Sequence, residues 1–177
     1  MKLVDRLIAR AKRTPYFHLD GYMNRWWLVP YRQTIVRTVQ GDAPHIYENL
    51  TDGTGPVSFW RRPLTWLLQR FDIAVRVHEI LRSDEGRDPH DHPWPYVTIV
   101  LRGGYYEAVY DDDGFWLDTK WHGPGSVLFR PSGTWHMLTL PSGRPATTLF
   151  ITGRKAQTWG FNVNGKKVPY REYLGGA

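Results

Sequence analysis

The chain has 177 residues, 41% hydrophobic, 15% aromatic and 23% charged, a composition that excludes a disordered chain and fits one globular domain with a modest extension and its own core. It has no cysteine, which excludes disulfides, thiolate metal sites and a cysteine nucleophile, and fits a reducing, cytoplasmic setting. The net charge of +6 leaves room for acidic partners, but apart from the N-terminal stretch and Arg154, Lys155, Lys166, Lys167 and Arg171 the basic residues are scattered, with no nucleic-acid-binding motif; the charge reads as solubility with a hint of an anionic substrate.

No apolar run approaches the length of a membrane span, and the first residues, MKLVDRLIARAKRTP, lack the unbroken apolar core of a signal peptide. They resemble a short basic amphipathic helix. Leu3, Val4, Leu7, Ile8 and Ala11 share one face, Arg6, Arg10, Lys12 and Arg13 lie around the other, and Pro15 ends it. The expectation is a helix packed on the body of the protein; contact with a membrane or nucleic acid is the alternative. Residues 20–60 are rich in Gly, Pro and aromatics, with strand-like runs at Arg25–Val29 and Thr34–Val39. Pro63–Arg70 fits a short helix with proline in its first turn.

From Phe71 the pattern becomes β. Ile73–Arg82 alternates and is β-branched, Tyr96–Leu101 is strongly apolar, and Tyr105–Tyr110 returns through Asp111-Asp112-Asp113-Gly114 into Phe115–Trp121 as a hairpin. The Asp run lacks the alternating spacing and distal Glu of a calcium loop. Ser126–Phe129, His136–Leu140 and Thr147–Thr152 supply three more strands. Short strands broken by Gly and Pro turns indicate a sandwich or barrel. The expected division is residues 1–62 as a helix and irregular or strand extension packed on the barrel, and 63–177 as the barrel with a C-terminal tail.

Two stretches carry the chemistry. In Pro89-His90-Asp91-His92-Pro93-Trp94-Pro95-Tyr96, the two histidines fall on the same side of an extended chain, where both can reach one metal ion. Downstream, Gly125 is followed by a strand, a Pro131-Ser132-Gly133 turn and His136. These stretches resemble the two motifs of the cupin superfamily. The second matches at Gly125, Pro131, Gly133 and His136; the first matches at His90, His92 and Gly103, with Tyr96 where a glutamate is usual. The resemblance covers about residues 71–162.

The resemblance implies an all-β double-stranded β-helix, or jelly roll, preceded by the short N-terminal α-helix. It implies one divalent metal ion on His90, His92 and His136, with open coordination positions. A set of three histidines without carboxylate is similar to that of cysteine dioxygenase and related thiol dioxygenases, so Fe(II) is the expected ion, with Zn, Ni or Mn as alternatives. It also implies a small-molecule, polar or anionic substrate, and makes a homodimer an expectation, since cupins often dimerise through their sheets. The stretch HDHPWPYVTIVLRGGYYE also resembles that of small phage and bacterial cupins. Three functional readings stay open: a non-haem dioxygenase, a metal-dependent isomerase or lyase, and a non-catalytic ligand-binding or assembly cupin.

Other residues are weighed beside the triad. Tyr96 shares strand parity with His92, so its phenol is a candidate to face the metal or a bound ligand, or to pack. Arg76, Arg102 and Arg130 are candidates to grip a carboxylate or phosphate, against surface salt bridging; only Arg76 lies in a strand expected to cross the interior. Glu107 is a candidate fourth ligand against a surface or hairpin role. Asp91 is a candidate to orient an imidazole or to stabilise a turn. His78 reads as an ordinary strand histidine, and Trp94 and Trp135 as pocket walls or core.

Overall fold

The structure is a computed structural model that describes residues 3–14, 18–19, 21–29 and 62–175. Its elements are α1 (Leu3–Ala11), β1 (Met23–Val29), α2 (Arg62–Arg70), β2 (Ala74–Ile80), β3 (Tyr96–Arg102), β4 (Tyr105–Tyr110), β5 (Trp116–His122), β6 (Val127–Arg130), β7 (Trp135–Thr139), β8 (Ala146–Thr152), β9 (Gly160–Val163), β10 (Lys166–Pro169) and α3 (Tyr170–Tyr173). The expected run Thr34–Val39 lies outside the described residues.

One antiparallel sheet has the order β1-β2-β8-β3-β6 and a second has β5-β4-β7. Residues 89–91 extend the second sheet. His90 bridges His136 of β7 on one side and Phe161 of β9 on the other. Its N–H donates to the His136 carbonyl (3.0 Å) and the His136 N–H donates back (2.9 Å). Asp91 N–H donates to Gly160 O (3.1 Å), and Asn162 N–H to Pro89 O (2.7 Å). Pro89 and Pro93 have no N–H to add, which keeps this strand to a few residues. Counting residues 89–91 as a strand, the sheets interleave as β2-β8-β3-β6 against 89–91-β7-β4-β5. This is jelly-roll connectivity, an all-β fold with a short N-terminal helix.

The alternation of side chains fills the interior. On β3, Tyr96, Thr98 and Val100 are buried; on β2, Ala74, Arg76, His78 and Ile80. Ile80, Val100, Tyr105, Leu128, Leu138 and Ala146 form an apolar cluster. Cross-strand register places Tyr96 level with Thr152, and Thr98 level with Phe150, further along the same strands. The interior therefore has an apolar end and a polar end, and the histidines occupy the polar one.

Helix α1 packs Ala11 and Leu7 against Trp26 and Val77 on the outer side of β1 and β2, as its amphipathic pattern predicts. The buried stripe is narrower than that pattern, since Leu3 is 81% exposed. The C-terminal segment is not merely a tail. Val163-Asn164-Gly165-Lys166 turns the β9–β10 hairpin, with Asn164 and Gly165 both at positive φ (53° and 77°), as a type I′ turn requires. Asn-Gly is the strongest short hairpin signal in a sequence.

Candidate metal centre

His90, His92 and His136 converge from two chain segments. One nitrogen of each lies within 4.8 Å of the others, a group that could hold a metal ion. The ring centroids are 4.6 Å apart for His90 and His136, 5.4 Å for His90 and His92, and 5.1 Å for His92 and His136. The bridge between residue 90 and β7 fixes the first two. The third is tied by the turn: Gly133 N–H donates to the His92 carbonyl (3.1 Å). Gly133 has φ +83°, and a Cβ there would stand 2.9 Å from Gln157 Nε2, so glycine suits this position. The two stretches that stand out in the sequence are thus bonded to each other backbone to backbone.

His136 separates its two nitrogens. Nδ1 lies 3.0 Å from Glu107 Oε1, while Nε2 is buried with no hydrogen-bond partner among the described residues. Glu107 is 2% exposed and is held by three groups. Arg130 donates from Nε (3.2 Å) and also from its terminal nitrogen, and His122 Nε2 lies 3.1 Å away. Burial pushes the Glu107 carboxyl up, but His136 and Arg130 outweigh it and hold the pKa at about 2. An ionised carboxylate only accepts, so His136 Nδ1 and His122 Nε2 carry the protons. With Nδ1 taken up by the carboxylate, Nε2 is the nitrogen of His136 left without a partner. A buried nitrogen without a partner is costly, and three imidazole donors suit a divalent ion. The residues fit a metal.

Burial acts on the other two imidazoles. Burial lowers the His90 pKa to about 4, against a smaller upward pull from Asp84, whose Oδ2 is 3.8 Å from His90 Nδ1. Burial also drives His92 well below 6.5, helped by His136 and His90. Both are neutral at physiological pH, as ligation requires.

Tyr96 stands against the site, its ring 4.9 Å from that of His92 and its hydroxyl 3.5 Å from His136 Nδ1. Burial and the nearby Glu107 charge raise its pKa well above 10, so the phenol is neutral. Arg76 points inward from β2 and donates to Thr152 Oγ1 (3.1 Å); its guanidinium carbon is 5.2 Å from the Trp94 ring and 5.7 Å from Phe150. Trp94 is stacked near His92, with centroids 6.5 Å apart. Trp135 instead donates to Asp112 Oδ1 (3.1 Å).

The remaining candidates fall elsewhere. Arg102 pairs with Asp5 of α1 at the surface, whereas Arg130 reaches a buried carboxylate rather than solvent. Among the described residues, Asp91 bonds no imidazole. It is fully buried and accepts from Gly160 N (2.8 Å), Gln157 Nε2 (2.9 Å) and Lys167 Nζ, clamping the β9–β10 hairpin. Glu107 engages Nδ1 of His136, the nitrogen other than the unpartnered Nε2. His78 is more than a plain strand residue: it is buried, stacked on Phe150 at 4.6 Å, and strongly depressed in pKa by burial. Sequence reasoning missed His122 and Asp84. The signal for Glu107 was a carboxylate in mid-strand between Tyr106 and Ala108; nothing local marked its partners, which β-pairing delivers.

No family model matches the chain, and no curated protein matches it. Among solved structures, it is similar to the polyketide cyclase RemF from Streptomyces resistomycificus, at 22% identity over 51% of this chain and 61% of that one, with a TM-score of 0.42. It is similar to the DMSP lyase DddQ from Ruegeria pomeroyi DSS-3, at 20% identity over 56% and 43%, with a TM-score of 0.40. A cupin-2 domain from Rhodospirillum rubrum is similar at 14% identity over 51% and 57%, with a TM-score of 0.40. The chain spans less than two thirds of the length of each. The jelly-roll assignment rests on the strand connectivity itself.

Proposed function

We propose that the protein is a non-haem metal enzyme that holds one Fe(II) on His90, His92 and His136 and oxidises a small polar or anionic molecule with dioxygen. The observation that carries the reading is the convergence of three imidazoles, two of them buried and one half-buried, with Nε2 of His136 left without a hydrogen-bond partner among the described residues. Bound there, the ion would supply a Lewis-acidic centre with coordination positions still open for oxygen and substrate.

The protein's own groups supply orientation and charge. Glu107 fixes the His136 tautomer, and His122 and Arg130 keep Glu107 in place. Neutral ligands leave the ion's charge uncompensated, which favours an anionic substrate. Arg76, on the same inward face as His78, supplies a second positive charge for a carboxylate or phosphate. Tyr96 offers a neutral hydroxyl that orients bound substrate without ligating the ion.

The test is reconstitution of metal-free protein with Fe(II) under nitrogen, then exposure to oxygen with a panel of thiols and small carboxylates. Substrate-dependent oxygen uptake that disappears in His136→Ala is expected. His90→Ala and His92→Ala should likewise lose metal while staying folded, and Tyr96→Phe should keep it. Failure of Fe(II) to bind at micromolar levels, with tight zinc binding instead, would remove the oxygenase reading.

A further inference from the structure

The two segments that carry the histidines turn those rings to the interior and their neighbours to the other face. His90 stands level with His136, so antiparallel register sets Asp91 level with Trp135. Side chains alternate along a strand, so Asp91 and Trp135 share the face opposite to that of the histidines. Over that face lies Lys167 of β10. Its Nζ donates to Asp91 Oδ2 and stands 5.4 Å from the centre of the Trp135 ring. One ammonium group therefore touches both the residue between His90 and His92 and the residue before His136.

Lys167 gets there across a neighbouring strand. β9 lies between β10 and residues 89–91, and Lys167 is level with Asn162 of β9. Its stem crosses β9 at Gly160. A Cβ at Gly160 would stand 3.0 Å from both Cγ and Cε of Lys167, and 2.7 Å from the Val168 carbonyl oxygen. Gly160 does not have positive φ, so glycine serves there for space rather than for conformation. The Lys167 side chain, 29% exposed, thus lies down along the sheet, with its head on a carboxylate that is fully buried. A carboxylate taken out of water is costly unless it is paired and hydrogen-bonded, so this contact is a strong tie when made and a serious loss when broken.

The geometry points to Lys167 as a positioning residue for the candidate metal centre: by tying Asp91 to Trp135 from the back of the sheet, it holds His90 and His92 in place against His136 and so sets how tightly the three imidazoles hold an ion. The inference rests on the histidines being a metal centre, and not on oxygen chemistry. The backbone by itself joins the two segments at an isolated bridge, His90 to His136, and the prolines at 89 and 93 cannot extend it. A single bridge leaves room to pivot, whereas ligands must be held to within about 0.5 Å of their working geometry. An ammonium in contact with both segments removes that freedom.

The test uses Co(II), whose visible absorption reports coordination geometry, added to the metal-free full chain. Removing Lys167 alone would leave the Asp91 charge to attract the ion. The decisive variant is therefore Asp91→Asn combined with Lys167→Met, which keeps the net charge of +6. Its Co(II) dissociation constant should rise about 10- to 100-fold, as for other outer partners of metal ligands, and its absorption spectrum should change. Lys167→Arg, which keeps charge and reach, should retain the affinity and spectrum of the wild type. Val77→Ala, a truncation in the cluster under α1, should lower the unfolding midpoint and leave Co(II) binding as it is. A folded double variant with unchanged affinity and spectrum overturns the proposal. So does an equal loss of affinity in Val77→Ala, which would make the effect one of general stability. Should the double variant fail to fold, Asp91→Asn with Lys167→Gln, a neutral pair of shorter reach, decides by the same two readouts. A wild-type protein that binds no Co(II) sinks the metal centre and this inference with it, whereas binding that ignores Lys167 sinks the inference alone.

Discussion

His136 has a carboxylate at one nitrogen and, among the described residues, no partner at the other, and on the proposed reading this asymmetry makes Glu107 a positioning residue rather than a ligand. Glu107→Gln keeps the length of the side chain but removes its charge, so the tautomer of His136 is no longer fixed. Metal affinity should fall about 10- to 100-fold, as is typical of such outer partners, measured by competition with a chelator. His136→Ala should lose the metal altogether, and equal affinity in wild type and Glu107→Gln would contradict the role. The depressed imidazoles also predict a pH dependence. Their folded pKa values lie below the unfolded value near 6.5, so the unfolded chain takes up protons that the metal-free native state refuses. Stability of the metal-free protein should be complete above about pH 6.5 and fall as the pH drops toward about 4. His90 alone accounts for a loss on the order of 3 kcal/mol. The low Glu107 pKa adds loss in the same direction, below its unfolded value of 4.5. A melting temperature that stays flat from pH 7 to below pH 5, as the metal-free protein is titrated, would argue against buried neutral histidines.

At the scale of elements, the centre depends on short segments fastened by buried acids. Asp84 accepts from Leu138 N–H on β7 (2.7 Å) and from the Tyr22 hydroxyl, and lies beside His90. It thus joins the loop after β2, the start of β1 and the strand carrying His136. Asp84→Ala leaves a buried N–H and a buried hydroxyl unpaired, and should cost about 3 kcal/mol, read as a shift in the urea midpoint. Asp84→Asn, which keeps an acceptor, should cost less. The strand of residues 89–91 was invisible as a strand because two prolines bracket it, and its bonds come from β7 and β9 rather than from its own pattern. By contrast Tyr105–Tyr110 and the hairpin after it were legible, since alternation and an Asp-Gly turn are local signals.

For the whole molecule, the apolar end of the interior is built without the histidines, from Ile80, Val100, Tyr105, Leu128, Leu138 and Ala146. A metal bound at the polar end therefore adds stability to a fold that already stands. Chelation should lower the melting temperature while leaving the β-sheet circular dichroism in place. Saturating metal at about 1,000 times Kd would contribute about 4 kcal/mol. Collapse of the far-ultraviolet spectrum on chelation would mean that the ion is structural instead. Among the described residues, no helix is long and apolar enough to cross a membrane.

The sequence by itself determined the β pattern, the N-terminal helix and the three histidines, because period, turn residues and motif spacing are local properties of a chain. Its Asn164-Gly165 pair also announced the last hairpin, although only the structure drew it to notice. Tertiary structure alone decided which side chains stand behind the ligands. Glu107, His122 and Arg130 lie on three different strands, and Asp84 lies in a loop 54 residues from the N–H it accepts. Cross-strand register, which no local pattern encodes, brings such groups together. Burial then sets their charges: desolvation lowers the pKa of His90 and His92, while His136 and Arg130 keep the Glu107 carboxylate ionised.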